Sequence, residues 1–157
     1  MFELSKPILY ITIGIPGAGK TTWSKTYLEA ERISKDDIKN YTDLDETYLD
    51  LIANNLKTGK DTIADSMQNT PLQRNSLISG LSKRGLNIDD YFIMFMCFDI
   101  PLDVCKKRNA GREPSEQVGD IIIDMCYKQL IFPTLYELQE YPNCIDIIII
   151  KEDSAYV

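Results

Sequence analysis

The chain has 157 residues, 44% of them hydrophobic, enough for one ordinary core and too few for two, so a single domain over residues 1–157 is expected. Its net charge of −7 repels polyanions at long range and argues against nonspecific nucleic-acid binding, so a polyanionic substrate needs a local basic patch. It contains no histidine, which excludes Ser-His-Asp triads and imidazole metal sites and leaves the carboxylates as candidate bases.

No stretch of 18 apolar residues occurs, and "MFELSKP" lacks the basic and apolar segments of an export signal, so a cytoplasmic protein without membrane contact is expected. In chain order, "ILYITIGI" (residues 8–15) is apolar and β-branched enough for a strand buried on both faces, and "TTWSKTYLEAE" has helical composition. Between them Gly14 to Thr21, "GIPGAGKT", satisfies GxxxxGK[ST] in the strand–loop–helix setting that gives this motif its meaning. Gly14, Gly17 and Gly19 let the backbone turn its N–H groups toward an anion, with Ala18 and Thr22 completing the cradle. Lys20 is placed to reach the β- and γ-phosphates, and Thr21 offers a hydroxyl to Mg²⁺. Trp23 reads as helix packing.

A short strand in "RIS" leads into "KDDIK", where Asp36 or Asp37 should reach the carboxyl edge of the sheet and hydrogen-bond to an incoming hydroxyl. Acidic residues also start helices, so either aspartate has a purely structural alternative. Leu44, Tyr48, Leu51, Ile52 and Leu56 follow at helical spacing, ending at Thr58-Gly59. "DTIADS" is a third strand whose last carboxylate, Asp65, can order Mg²⁺ or hold a basic side chain. Pro71 opens a helix that Gly85 closes, "YFIMFMCFDI" is a buried fourth strand, and a helix runs from Pro101 to about Asn109. Arg108 and Arg112 straddle the next break, placed to swing over a triphosphate. A helix from about Val118 to Leu130 and a strand in "CIDIIIIK" complete the pattern. Strands alternating with helices predict an α/β fold, a parallel sheet of about five strands flanked by helices, with ligands at the strands' carboxyl ends. Residues 35–43 and 110–117 are the expected mobile segments. The cysteines, Cys97, Cys105, Cys126 and Cys144, form no CxxC pair and read as reduced thiols.

Taken together, "ITIGIPGAGKTTW", "ISKDDIK", "IADS", "FDIPLDVCKKRNAGR" and "MCYKQL" resemble, in order and spacing, the kinase domain of phage-type polynucleotide 5′-hydroxyl kinases, over about residues 8–136. The resemblance implies a P-loop kinase fold with a short helical lid, and transfer of the γ-phosphate of ATP or GTP to a nucleic-acid hydroxyl. It implies Lys20 and Thr21 at the donor phosphates and Mg²⁺, Asp36 as general base, and Asp65 as partner of the base or of the lid arginine. Arg112 is then that lid arginine and Arg108 its support.

Two departures bear on the acceptor. Lys39 stands where the family has an arginine gripping an acceptor phosphate, which keeps the charge and loses the bidentate fork. "SMQNT" replaces the usual threonine and asparagine after Asp65, with a one-residue shift before Pro71. Lys35, Lys39 and Arg74 are the expected acceptor cations. The resemblance implies DNA or RNA as acceptor, at a 5′ end or, given the altered acceptor contacts, at a hydroxymethyl group on a modified base of the sort phages install. The alternatives are a kinase for a nucleoside, sugar or other metabolite, and a nucleotide-binding regulator without transfer activity. No second domain is expected, and hence no accompanying phosphatase.

Overall fold

The apolar run Ile8–Ile13 forms β1, the central strand of a five-stranded sheet, in a computed structural model that describes residues 6–39 and 42–152. Strand β2 (Glu31–Ser34) is at one edge, followed by β3 (Thr62–Asp65), β1, β4 (Phe92–Phe98) and β5 (Cys144–Ile150) at the other edge, and every pairing is parallel. A parallel sheet needs cover on both faces, which explains why β1 and β4 are apolar throughout. Leu9, Ile11 and Ile13 pack on one face against α2 (Leu44–Lys57) and α3 (Pro71–Ser82) through Tyr48, Ile52, Leu77 and Leu81. Tyr10, Ile63 and Met96 pack on the other against α1 (Lys20–Thr26), α4 (Leu102–Ala110) and α5 (Asp120–Gln129) through Trp23, Cys105 and Ile123.

Trp23 stacks on Tyr27 at 5.3 Å and meets Tyr10 and Phe98 at tilted angles, so it is helix packing. All four cysteines are free, and burial pushes the Cys97 thiol up to about 12, which keeps it protonated and inert. Among the described residues no helix is long and apolar enough to cross a membrane.

The short helix α6 (Leu135–Leu138) has no periodic signal in the sequence, and it forms because Thr134 caps the Glu137 amide. That cap aims Glu137 at Arg74 of α3, which corrects the expectation that Arg74 grips an acceptor. Arg74 is 0% exposed, and its Nε and Nη2 donate to the two Glu137 carboxylate oxygens at 2.7 and 2.6 Å. A guanidinium held by both forks inside the protein has no face left for a ligand.

Removing one partner of such a pair strands a buried charge. Arg74→Met or Glu137→Gln alone should cost about 3–5 kcal/mol of stability in urea unfolding, whereas Arg74→Met combined with Glu137→Leu should recover most of the loss.

Candidate active site

Four strands release their chains at one edge of the sheet, and each supplies a part of the site. β1 ends in the loop Gly14–Gly19, which enters α1 at Lys20. Gly17 and Gly19 have φ of 86° and 99°, in the left-handed region that glycine adopts without strain. A Cβ at Gly17 would also lie 2.3 Å from the Cys105 carbonyl oxygen, so the glycine there lets the loop press on α4. The loop is tied from below, since the Gly14 amide donates to Asn69 Oδ1 at 2.9 Å.

Lys20 is drawn inward, and burial lowers the pKa of its ammonium, opposed by the Asp65 and Asp36 carboxylates and reinforced by the Arg112 guanidinium. The expected donor, base and lid residues therefore act electrostatically on one amine. Thr21 is half-buried and its hydroxyl has no hydrogen-bond partner among the described residues.

The turn that carries the expected base, Asp36, follows β2. Ser34 Oγ accepts from the Asp36 amide at 3.2 Å and opens a single turn over Lys35–Asp37 that leaves both aspartates exposed. Asp36 has no ion-pair partner among the described residues, whereas Asp37 accepts from Arg32 Nη1 at 2.5 Å. Arg32 also donates Nε to Asp65 Oδ2 at 2.7 Å. Asp65, only 5% exposed, takes a further bond from Ser24 Oγ at 2.9 Å, and Thr12 Oγ1 lies 3.4 Å from its other oxygen. The basic partner of Asp65 is thus Arg32 rather than the lid arginine, because β2 and β3 are neighbours with Ser34 in register with Asp65.

Beyond β4, Arg108 of α4 donates Nη1 to the Gly17 carbonyl at 3.5 Å, which sets its guanidinium beside the loop. Arg112 follows, half-buried, at the start of the 110–117 segment. That segment is pinched at its base: Asn109 Nδ2 donates to the Val118 carbonyl at 2.6 Å, and the Val118 amide returns a bond to Asn109 Oδ1 at 2.9 Å. In the other expected mobile segment, Asn40 and Tyr41 lie outside the described residues.

The acceptor cations fare unevenly. Lys35 is paired with Asp45 at 2.6 Å and sits 5.3 Å from the centre of the Tyr48 ring, while Lys39 is exposed and unpaired among the described residues. Arg32, Gln68 and Asn69 escaped the sequence reading. Gln68 Nε2 donates to the Thr12 and Ala64 carbonyls at 3.1 Å, bridging β1 and β3, and Tyr48 donates to its Oε1 at 2.9 Å. The signal for Gln68 and Asn69 was the "SMQNT" irregularity itself.

The residues present suit Mg²⁺ bound mainly through a nucleotide. Thr21 offers an uncommitted hydroxyl, while no group of three or more acidic or thiol side chains able to hold a metal occurs among the described residues. Mg²⁺ is commonly held this way, by few protein ligands plus phosphates and waters.

A family model described as an AAA domain matches residues 9–124, the span holding every element described above except α6 and β5 and the C-terminal turns of α5. The chain belongs to the AAA domain family. No curated protein sequence matches it. Among solved structures, this AAA domain is similar to a fungal RNA kinase, with TM-score 0.72 at 14% identity over 99% of this chain and 80% of that one. A gluconokinase from Sinorhizobium meliloti 1021 superposes with TM-score 0.60 at 10% identity, covering 97% and 86%. A chain of the Pnkp1/Rnl/Hen1 RNA repair complex gives 0.63 at 18%, covering 88% of this domain and 47% of that longer chain. The fold is that of the P-loop kinases.

A lysine whose folded pKa lies below its unfolded value destabilises the fold while charged. The penalty is full below the folded pKa and vanishes as pH rises past the unfolded value of 10.5. Lys20→Met should therefore raise the melting temperature of the ligand-free protein at pH 7 and abolish its further rise on adding nucleotide, as scanning fluorimetry with and without ATP would report.

Proposed function

We propose that the chain is a kinase that transfers the γ-phosphate of ATP or GTP to a hydroxyl on nucleic acid, with Asp36 as general base. The observation that carries the reading is that the phosphate loop after β1, Asp36 after β2 and Asp65 at the end of β3 all lie at the carboxyl edge of one parallel sheet, with Arg108 of α4 donating to the loop at Gly17. In the step itself, the acceptor hydroxyl gives its proton to Asp36, its oxygen bonds to the γ-phosphorus, and the bond to the β–γ bridging oxygen breaks to release the nucleoside diphosphate. Lys20 and the loop amides hold the donor, and Arg108 and Arg112 offset charge on the transferring group. Thr21, together with the donor phosphates, would hold Mg²⁺, which would supply further charge neutralisation.

Asp36 is favoured over Asp37 because Asp37 is already engaged by Arg32 Nη1 at 2.5 Å, while Asp36 has no ion-pair partner among the described residues. Nucleic acid is favoured as acceptor by the sequence resemblance and by the likeness to the RNA kinase. A small-molecule acceptor is the second reading. Its support is that Arg74 is sealed in the core and Lys35 is held by Asp45, leaving Lys39 as the expected acceptor cation without a partner among the described residues.

Asp36→Asn should slow transfer by about 10² to 10⁴ with nucleotide affinity nearly unchanged, the usual cost of losing a positioned base. If Asp37→Asn causes the larger loss, the base is misassigned. The acceptor is tested with labelled ATP, Mg²⁺ and four substrates: a 5′-hydroxyl oligonucleotide, an end-blocked duplex, the same duplex bearing hydroxymethyl pyrimidines, and free nucleosides. Label in the first or third, diminishing with added salt, supports nucleic acid. Label in nucleosides alone favours the second reading, and label in none with nucleotide still bound favours a non-catalytic nucleotide-binding protein.

A further inference from the structure

Arg32 takes no part in the transfer just described, yet its side chain is only 13% exposed and is held at two points. Nε faces the buried Asp65 and Nη1 faces Asp37, whose side chain is 65% exposed. A guanidinium is planar and rigid, so one group gripping two carboxylates fixes their relative position as two separate ammonium contacts would not. The connection continues toward the donor loop. Ser24 Oγ lies 2.9 Å from Asp65 Oδ2 and 3.2 Å from the carbonyl of Thr21, the residue after the loop lysine. An unbroken chain of polar contacts thus runs from α1 through Asp65 and Arg32 to the turn that carries Asp36.

We propose that Arg32 is a positioning residue for phosphoryl transfer, locking the base turn to the strand-end carboxylate Asp65 so that base and donor loop keep one fixed separation. The proposal rests on the kinase reading for its choice of Asp36, and it adds what sorts the two neighbouring aspartates. Asp37 is consumed in the clamp, and Asp36 is left to face the acceptor. Without the clamp the turn keeps the Ser34 cap on β2, at 3.2 Å, its own closing bond from the Ile38 amide to the Lys35 carbonyl, at 3.1 Å, and the contacts of Lys35 with Asp45 and Tyr48 of α2, none of which reaches Asp65. A base displaced by even about 1 Å forfeits much of its advantage, on the order of 10²-fold in rate.

The test compares Arg32→Gln, Arg32→Lys and Asp37→Asn with the wild-type chain. Arg32→Gln should lower kcat by roughly 10- to 100-fold with the nucleotide Kd changed less than about threefold, because the clamp acts on the base turn and leaves the loop amides in place. Arg32→Lys keeps the charge but replaces the rigid planar fork with a rotatable ammonium that cannot hold the two carboxylates at fixed spacing, so it should restore the melting temperature without restoring kcat. Should Arg32→Gln fail to fold, Arg32→Lys carries the test alone. Asp37→Asn should lower kcat in the same direction by less. Wild-type kcat in Arg32→Lys, or a loss of nucleotide affinity in Arg32→Gln that matches the loss of kcat, would overturn the proposal. Amide hydrogen exchange keeps this separate from the kinase reading. If the wild-type chain transfers phosphate to no acceptor, the kinase reading fails, and the clamp is still tested by faster exchange at the Asp36 and Ile38 amides in Arg32→Gln, with β1 and β4 unchanged. Unchanged exchange at those two amides would also overturn it.

Discussion

One buried carboxylate organises the site. Asp65 sits at the carboxyl end of a strand paired on both sides, where an uncompensated charge would cost several kcal/mol, so its two oxygens must be satisfied by neighbours. Those neighbours are Arg32 from the edge strand, Ser24 from the helix behind the phosphate loop, and Thr12 from the central strand. Satisfying one charge therefore aligns three elements that are 33 to 53 residues away in sequence. The loop of glycines could form on β1 alone, but the placement of the base turn relative to it depends on this meeting point.

The side opposite the Asp36 turn is fixed by close packing instead of charge. Gly17 lies so near the Cys105 backbone that any side chain would collide, which brings α4 against the loop and sets Arg108 at the Gly17 carbonyl. The reciprocal Asn109 and Val118 bonds then define where the 110–117 segment leaves and returns. Arg112 is consequently delivered by a short, anchored loop over a rigid helix end, an arrangement that allows motion at the tip while its base holds register.

Much of this was legible in the sequence for a definite reason. Strand, loop and helix around Gly14–Thr21 are contiguous, so their chemistry is written in local order, and the alternation of apolar runs with helical periods yields a parallel sheet directly. The role of Arg32 was not legible, because a charged residue in a short strand reads as an exposed edge position until β2 is known to lie beside β3 with Ser34 opposite Asp65. Arg74 failed in the opposite direction. Its proximity to the acceptor segment along the chain suggested a ligand, while its true partner, Glu137, is 63 residues away on a helix too short to show periodicity. Gln68 and Asn69 stood out only as a departure from a familiar pattern, and their bonds to the Thr12 carbonyl and the Gly14 amide give that departure a physical purpose as a strut beneath the loop.

Charge bookkeeping around the base turn then bears on the acceptor. Arg32, Lys35 and Arg74 each carry a positive charge within the acceptor-side half of the fold, and each is matched by one or two carboxylates: Asp65 and Asp37, Asp45, and Glu137. Matched pairs contribute little field beyond their own contact distance once solvent screens them, so the net −7 of the chain is not locally reversed by these residues. Of the pairs, only Lys35 with Asp45 combines a half-buried ammonium with an exposed carboxylate, whose release would cost little. The Lys35–Asp45 pair therefore opens at little cost at the surface, whereas Arg74 is freed from Glu137 only by opening the core.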